Sequence, residues 1–418
     1  MKNIKVSVII ATYNTAKYIE ECLDSIISQT LQQIEIIIID DGSTDNTQEI
    51  LKKYIELYSN ILVVYQKNIG AGMARNRGIE IAKGEYMVFM DPDDKYPVSD
   101  CLEIMYNTAK IKDELICGGN IIGNDNGSIT KIYSAGDGIE KNVKNGIIKS
   151  KDFYYLYGHT RYIFQSIFMK KERIKFAKYK RYEDQVLTID ALGKAGKFYE
   201  INYPVYEYRI NYKNNEFDRE IYLDMFKGFR DTLRLICTYD MNLMYKKNCQ
   251  NFIEQYMPQI CKYVYKNDES YNQVIEEINT IIRTSEWSNK NDLITKDRVL
   301  QYIQKYQNMR NKLDNICRDG SKIIIYGAGK NTIKLLQYYR KNLTNVIGIA
   351  VTKDNTLDKL EQIEVHLINY YVPIKDQVTV LVTPSSKFID SIFLVLDKLG
   401  FKHYEWIDIN LLCQKIDI

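Results

Sequence analysis

The sequence predicts a mixed α/β protein in which two α/β domains flank a helical region. In the first 91 residues, apolar runs rich in β-forming residues alternate with helical patterns, which is typical of a parallel sheet. The same alternation returns after residue 321. Between these stretches, from about residue 214, apolar residues recur at helical spacing. The predicted domains are therefore residues 1–213, 214–320 and 321–418.

The N-terminal domain is predicted from four strands that alternate with three helices. The apolar runs that indicate strands are residues 6–11, 35–40, 61–66 and 86–90. The segments with apolar or small residues at helical spacing are residues 18–29, 44–58 and 72–82. Ligands of open α/β sheets bind outside the carboxyl ends of the strands. We therefore expect the polar loops that follow these strands to form a site at one edge of the sheet.

Three carboxylates, those of Asp91, Asp93 and Asp94, directly follow the fourth strand. Like charges this close repel each other unless a divalent ion or protonation relieves them, and hard oxygen ligands suit magnesium or manganese with a phosphorylated substrate. The alternative is a solvated acidic turn, with Pro92 setting the bend. The acids therefore indicate either a metal site or a surface turn.

The other loops carry groups that suit a nucleotide diphosphate sugar. Asp40 and Asp41 end the second strand before a Gly-Ser-Thr-Asp turn, so that one can accept a base N–H while the other is structural. Asn68 precedes a glycine-rich helix start whose N–H groups attract anions, and Arg75 adds a cation there. We interpret Arg77 as a surface residue.

Together these motifs resemble glycosyltransferase family 2. They occur in order along the chain as residues 6–14 (VSVIIATYN), 39–45 (IDDGSTD), 72–78 (GMARNRG) and 84–94 (GEYMVFMDPDD). The resemblance covers about the first half of the chain. It implies a GT-A fold, a metal-dependent donor site and inverting transfer of a sugar from a nucleotide sugar.

The resemblance also implies roles for individual residues. It places the base and ribose of the donor against Asp41 and the loop of Thr12, Tyr13 and Asn14. It makes the pair of Asp91 and Asp93 the DxD motif, which holds a manganese or magnesium ion and the diphosphate. Asp93 then contacts the metal, and Asp94 is a candidate second ligand.

An inverting transfer needs a general base that deprotonates the acceptor hydroxyl. Glu183 and Asp184 precede an amphipathic helix pattern and match the Glu-Asp motif of the family. The resemblance makes Asp184 the base and leaves Glu183 to orient the acceptor or Asp184. The alternative is that both acids only favour the N-terminus of a helix.

Two further residues leave alternatives open. Arg209 lies in a segment that resembles the end of the catalytic domain in related enzymes, where it would neutralise the leaving diphosphate; a basic strand end is the other interpretation. His159 precedes a strand-like run, residues 162–169. It would bind acceptor or metal, but a lone histidine is more often a hydrogen-bonding structural residue.

The bulk properties narrow the class of protein. Lys and Arg number 57 against 54 Asp and Glu, so the net charge of +3 gives no basic excess of the kind that nucleic-acid partners require. The 8 cysteines are scattered without a Cys-x-x-Cys pair, which indicates a protein of the reducing cytoplasm. No apolar run approaches the roughly 20 residues that span a bilayer. We expect a cytoplasmic location, at the inner face of the plasma membrane if lysines of the helical region bind anionic lipid.

The C-terminal domain begins with a strand, a Gly-Ala-Gly turn and a helix, which is a Rossmann-like opening. However, Thr332 replaces the third glycine of the dinucleotide fingerprint, and Thr352 stands near the place of its acidic ribose ligand. The domain resembles small Rossmann-like domains appended to bacterial surface-polysaccharide enzymes.

Before this domain lies an apolar stripe with coiled-coil-like spacing, residues 299–316. It would either pair subunits in a homo-oligomer or pack within the chain.

The expected function is transfer of a hexosyl or N-acetylhexosaminyl group, from the UDP donors most frequent in the family, to a hydroxyl of a bacterial surface glycan or lipid-linked acceptor. Polysaccharide biosynthesis for a capsule, lipopolysaccharide or teichoic-acid-type polymer would be the pathway, by family analogy. Two alternatives belong to other classes. One is a non-catalytic regulator or scaffold that binds a nucleotide sugar, and the other is an NAD-dependent oxidoreductase acting through residues 321–418.

Overall fold

The fold was analysed in a computed structural model of the chain. It describes residues 3–125, 127–134, 137, 145–156, 158–210, 218–265, 267–289, 292–318, 320–339, 342–352, 358–384 and 388–412. The chain divides into two compact units. The first comprises Met1–Glu254 with Glu269–Leu293, and the second Gln255–Asp268 with Ile294–Ile418. The boundaries at residues 213 and 320 stay predictions.

The first unit is built on one large, mixed sheet. Its strands are β1 (Val6–Thr12), β2 (Ile34–Asp40), β3 (Ile61–Tyr65), β4 (Tyr86–Met90), β5 (Ile116–Asp125), β6 (Ser128–Tyr133), β7 (Gly146–Lys149), β8 (Tyr162–Gln165) and β9 (Lys197–Arg209). Among the described residues their order is β3-β2-β1-β4-β8-β5-β9-β7, with β6 paired to β5. The first four strands are parallel, as the alternating sequence pattern predicts.

The strand register brings the polar loops to one level. Thr12 pairs with Asp40, and Ile10 pairs with Met90, so β1, β2 and β4 end at the same edge. The isoleucines of β2 are buried, as expected for a strand covered on both faces. The loops that follow these strands therefore lie side by side.

Helices alternate with these strands along the chain and continue after them. They are α1 (Ile19–Ile27), α2 (Thr47–Leu57), α3 (Ala71–Ile81), α4 (Cys101–Lys112), α5 (Ser166–Lys171), α6 (Glu183–Ala195), α7 (Arg219–Thr238), α8 (Asn242–Tyr265) and α9 (Glu269–Thr284). The predicted start of α2 at residue 44 is three residues early. The Asp45 carboxylate accepts the backbone N–H of Thr47, so a turn precedes the helix. Helix α7 packs on α6 and α9 within the first unit.

One strand prediction was too long. The run of residues 162–169 is a strand only to Gln165, and α5 begins at Ser166. Strand β8 pairs antiparallel with β4, and Gln165 lies opposite Tyr86, where β4 begins. Ser166 N–H still donates to the Glu85 carbonyl at 2.9 Å, and the chain then continues as α5.

The second unit has a smaller, mostly parallel sheet. Its strands are β10 (Lys322–Tyr326), β11 (Val346–Val351), β12 (Lys359–Leu360), β13 (Ile363–Leu367), β14 (Val378–Val382) and β15 (Tyr404–Trp406). Its helices are α10 (Lys296–Arg318), α11 (Lys330–Tyr339), α12 (Ile389–Leu399) and α13 (Ile409–Leu412). In the parts of the chain that are described, the strand order is β12-β13-β11-β10-β14-β15. Alternate residues of β10 point into a core on each face, as in a sheet with helices on both sides.

At least part of the apolar stripe on α10 packs within the chain. Leu313 is fully buried in the core beside β10, and Met309 and Ile316 pack against the same cluster. No helix in the described ranges combines the length and the apolar character needed to cross a membrane.

Candidate active site

The loops after β1 and β2 are joined through Asn14. Its side-chain oxygen accepts the backbone N–H groups of Thr44 and Asp45 at 2.7 and 3.3 Å, and its own N–H donates to Ser43 Oγ at 3.0 Å. Asn14 adopts a left-handed conformation, φ 54°, which asparagine tolerates better than most residues. Asn14 is therefore a structural connector, whereas its neighbour Tyr13 presents a side chain that is 48% exposed at this edge.

The remaining residue of this predicted loop, Thr12, is buried. Its hydroxyl lies 2.5 Å from that of Thr15. Asp40 is also buried, and its carboxylate accepts from Ser43 N–H and Gln48 Nε2. Asp40 therefore has a structural role in the turn after β2.

Asp41 holds the loop that follows β3. Its carboxylate accepts the backbone N–H groups of Ile69 and Gly70 at 2.9 and 2.8 Å and the Gln66 amide at 2.8 Å. The backbone here is so close that a Cβ on Gly42 would lie 3.1 Å from Asn68 N, and Gly42 has φ +82°. Asp41 thus shapes the edge on which Asn68 is exposed.

Arg75 connects the acidic loop after β4 to the start of α6. Its Nη2 lies 2.6 Å from Asp91 Oδ1, and its Nη1 lies 3.1 Å from Glu183 Oε1. The Arg75 side chain is only 8% exposed. Burial lowers the pKa of Arg75, but Asp91 and Glu183 outweigh burial and raise it, so the guanidinium stays charged. The predicted cation therefore organises two acidic motifs.

The third acid of the cluster is bound internally. Asp94 Oδ2 accepts the Tyr206 hydroxyl at 2.6 Å, and Asp94 Oδ1 accepts the Arg209 backbone N–H at 2.8 Å. The Tyr206 oxygen in turn accepts the Asp91 N–H at 3.3 Å. These bonds tie the acidic loop to the end of β9.

The acidic cluster has the chemistry of a cation site. Burial raises the pKa of Asp94 well above its usual range, and the charges of Asp91 and Asp93 raise it further. The same acids add to the effect of burial on the thiol of Cys22, whose pKa is also raised. A divalent cation with hard oxygen ligands would relieve this repulsion. Within the described ranges no group of three or more histidine, cysteine, aspartate or glutamate side chains is arranged to hold a metal ion.

Arg209 lies beside the acidic cluster. Its Nε donates to the Asp93 carbonyl at 3.0 Å, and its Nη2 contacts Glu21 Oε2 at 2.6 Å. The side chain is 27% exposed. Both alternatives for Arg209 are compatible with this position: it ends a strand, and it places a cation beside the acids.

Glu183 and Asp184 form the first turn of α6 and have opposite pKa shifts. Burial and the charge of Asp184 raise the pKa of Glu183 to about 7, against the lowering effect of Arg75. Burial also acts to raise the pKa of Asp184, but His159 and Arg75 outweigh it and hold that pKa below its usual value. Asp184 is therefore the acid of the pair that is ionised at neutral pH.

The turn before these acids has an unusual backbone conformation that close packing holds in place. Tyr182 has φ +68°, which a bulky residue rarely adopts. A Cβ on Gly228 of α7 would lie 2.5 Å from Tyr182 Cβ, and the Tyr182 ring packs edge-on against Phe252. Helices α7 and α8 thus support the residue that aims Glu183 and Asp184.

Sequence reasoning missed several supporting residues. Asn76 holds Phe176 with two hydrogen bonds, Nδ2 to the carbonyl at 2.9 Å and Oδ1 from the N–H at 2.8 Å. The Phe176 ring lies under the Arg75 guanidinium. Asn76 was visible in the motif, but its partner is 100 residues away. Tyr206 belongs to the segment that was singled out with Arg209, but its contacts with Asp91 and Asp94 depend on the tertiary fold, and no pattern signalled Phe176.

Comparison with known proteins supports the resemblance. Residues 7–172 match the family model described as glycosyl transferase family 2. Poly(ribitol-phosphate) beta-glucosyltransferase of Bacillus spizizenii is 36% identical over 199 residues, which are 46% of this chain and 30% of the relative. Glycosyltransferase GlyG of Streptococcus pneumoniae serotype 4 is 41% identical over 121 residues, 29% of this chain and 40% of the relative. The chain thus spans less than half the length of these curated relatives.

A solved structure has the same fold. The structure of S. aureus TarS 1–349 in complex with UDP covers 73% of this chain and 92% of its own, with a TM-score of 0.55 and 18% identity. At this identity the likeness concerns the fold alone. It confirms the GT-A type of the N-terminal domain, and the structure itself shows the helices and the smaller sheet that follow.

Proposed function

We propose, on the premise that residues 7–172 form a domain of glycosyl transferase family 2, that this chain is an inverting glycosyltransferase. The observation that carries the proposal is the double ion pair of Arg75 with Asp91 and Glu183. It joins the predicted donor motif to the predicted base motif at one edge of the sheet. An ionised carboxylate, Asp184, follows directly in the same turn of α6.

The donor is a nucleotide diphosphate sugar, with UDP as the nucleotide and a hexosyl or N-acetylhexosaminyl group as the sugar. Tyr13 and Asn68 are exposed at the edge where the base would lie, on loops shaped by Asn14 and Asp41. The structure of TarS with UDP supports this choice for a protein of the same fold.

Asp93 and Asp91 would hold the manganese or magnesium ion. When bound, the ion would neutralise the diphosphate and help it to leave. Arg209 would add a second positive charge beside the ion, next to the Asp93 carbonyl.

The transfer itself rests on Asp184. Its carboxylate takes the proton of the acceptor hydroxyl, and the oxygen forms a bond to the anomeric carbon as the bond from that carbon to the diphosphate breaks. The departing nucleoside diphosphate keeps the electron pair of the broken bond. Because the pKa of Asp184 is held low, the carboxylate is ready to accept a proton at neutral pH.

The acceptor is a hydroxyl of a bacterial surface glycan or of a lipid-linked precursor, and the inner face of the plasma membrane is the place of action. The name of the relative that acts on poly(ribitol-phosphate) supports this class of acceptor. No observation favours the oxidoreductase or the non-catalytic scaffold over this function.

The test is Asp184→Asn, which removes the proton acceptor and keeps the size of the side chain. We expect transfer to fall by a factor on the order of 10² to 10⁴, while stabilisation by UDP in a thermal-shift measurement is retained. Asp190→Asn, in the same helix, is the control and should leave transfer intact. Wild-type turnover in the Asp184→Asn protein would refute the assignment of the base.

A further inference from the structure

His159 is a buried histidine that lies beside the predicted general base. It starts a short 3₁₀ turn, His159–Arg161, and is 5% exposed. Its Nδ1 lies 3.5 Å from Asp184 Oδ2. Its Nε2 is buried without a hydrogen-bond partner among the described residues. The imidazole therefore directs one nitrogen to the predicted base and keeps the other in an apolar environment.

The ring cannot easily move from this position. Phe89 and Phe176 pack against it, with ring centroids 5.9 and 5.4 Å away. Phe176 is itself held by the two hydrogen bonds of Asn76. At the end of the same turn, Arg161 is fully buried and paired with Glu200 at 2.7 Å. A residue fixed on both sides and through its own backbone is suited to orient a catalytic group.

The location of the imidazole proton follows from this geometry. A neutral imidazole carries one proton, on either Nδ1 or Nε2. A proton on Nε2 alone would place a lone pair of Nδ1 against the Asp184 carboxylate and leave a buried donor without a partner. A proton on Nδ1 can be donated to Asp184 Oδ2, which removes the repulsion.

We propose that His159 is a positioning residue for Asp184: it carries a proton on Nδ1, donates it to Oδ2 of the carboxylate, and leaves the other oxygen to accept the acceptor proton. This inference rests on the proposed function, since it assigns a partner to its general base. It also explains why a lone histidine is buried beside the Glu-Asp motif.

Charged groups on the neighbouring elements act together with His159. The charge of Asp184 raises the pKa of Glu183, the adjacent acid of α6, whereas Arg75 of α3 helps to lower the pKa of Asp184. Phe89 of β4 and Phe176 bring no charge to this side. Removal of His159 should therefore take away the hydrogen bond to Asp184 but leave the favourable charge of Arg75.

The first test locates the proton by NMR. The chain has 3 histidines, so ¹⁵N-histidine labelling gives few signals, and loss of one in His159→Asn identifies His159. At pH 8 we expect the His159 signals of the wild-type protein to show a protonated Nδ1. In Asp184→Ala the proton should move towards Nε2, while the signals of His366 stay unchanged. A wild-type His159 protonated on Nε2 only, or a spectrum that Asp184→Ala does not alter, would overturn the inference; neither result depends on turnover.

The second test separates positioning from packing. UDP release from UDP-glucose and UDP-N-acetylglucosamine, with water as the acceptor, is measured against pH for His159→Phe and His159→Asn. His159→Phe keeps an aromatic ring but loses the donor, so kcat should fall on the order of tenfold and the acid limb should move to higher pH. His159→Asn can place an amide N–H near the position of Nδ1, so both effects should be smaller. A purely structural role would lower rate and melting temperature in both variants without moving the acid limb.

The outcomes distinguish this inference from the proposed function. If Asp184→Asn retains turnover, the proposed function has lost its base. If Asp184→Asn is inactive but His159→Phe keeps the wild-type kcat and acid limb, only the role of His159 is wrong.

Discussion

Arg75 concentrates two functions in one side chain, because its guanidinium holds Asp91 of the acidic loop and Glu183 of the base motif at the same time. Two parallel N–H donors in a planar fork make this geometry possible, and a lysine ammonium could not reproduce it. A change at either acidic motif is therefore transmitted to the other. Arg77, two residues further along α3, is exposed, as the sequence indicated, and bonds Gln66 instead.

Arg75→Met should destabilise the protein, and more so at pH 8 than at pH 5. In the wild-type protein the pKa of Glu183 is raised from 4.5 to about 7, so the folded state loses stability as the pH rises through this range. Without Arg75 that pKa rises further, and Asp91 also loses its ion pair with Arg75. Because an uncompensated buried charge is left, we expect a loss of about 3–5 kcal/mol at pH 8, measured by urea unfolding at both pH values.

Arg77→Met is the matched control for this measurement. Its loss should stay within about 0.5 kcal/mol, as for an ordinary surface position. An Arg75→Met protein that loses the same stability at pH 5 as at pH 8 would show that the carboxylate Glu183 is not the group that the arginine stabilises.

Asp93 and Asp94 are adjacent, but the family resemblance makes Asp93 the metal contact, whereas protein groups hold Asp94, so we expect their substitutions to differ. Both oxygens of Asp94 accept hydrogen bonds within the protein, from Tyr206 and the Arg209 backbone. An asparagine can keep most of these contacts. We expect Asp93→Asn to abolish the manganese-dependent part of the stabilisation by UDP, and Asp94→Asn to retain it. Thermal-shift titrations of manganese at fixed UDP measure this difference, and equal loss in both variants would make Asp94 a metal ligand too.

The elements of the first unit were predictable to different degrees. The parallel strands β1–β4 and their helices follow from local periodicity, and their register then places Thr12 and Asp40 at one level. Strands β8 and β9 enter the sheet through partners far along the chain, such as Cys117 with Tyr199. No local pattern specifies such pairings. The same reason explains why Asp184 was predicted from a motif, whereas its contact with His159 was not.

The packing of α6 on α7 should control activity without any contact to substrate. Gly228→Ala would place a methyl group 2.5 Å from Tyr182 Cβ, directly before Glu183. We expect a destabilisation of about 1–3 kcal/mol and a fall in transfer rate that exceeds any fall in UDP binding, because the base motif is displaced. Gly329→Ala is the matched control, since a Cβ added at Gly329 would meet no atom within 4 Å and the backbone there is not left-handed. A Gly228→Ala protein with wild-type kcat would show that α7 does not position the base.

At the scale of the whole molecule, the two units have different prospects as nucleotide sites, although each has parallel strands and polar loops at their ends. In the second unit, the hydroxyl of Thr332 bonds the Gly327 carbonyl and lies 2.8 Å from that of Thr383. Tyr326 bonds Thr352 at the end of the neighbouring strand. Threonine side chains thus occupy the turn at which the dinucleotide fingerprint has a glycine and the strand end at which it has an acidic ribose ligand.

A panel of nucleotides should therefore separate the units. UDP with manganese should raise the melting temperature, whereas NAD should not, with GDP, CDP and TDP as comparisons. A ligand at 100 times its Kd that binds only the native state adds about 2.7 kcal/mol of stability, a shift that thermal unfolding resolves. The Asp93→Asn protein is the control that links the shift to the acidic cluster. Stabilisation by NAD alone would place the nucleotide site in the second unit. Thr332 and Thr352 would then not exclude a dinucleotide, and the proposal that the first unit is catalytic would be wrong.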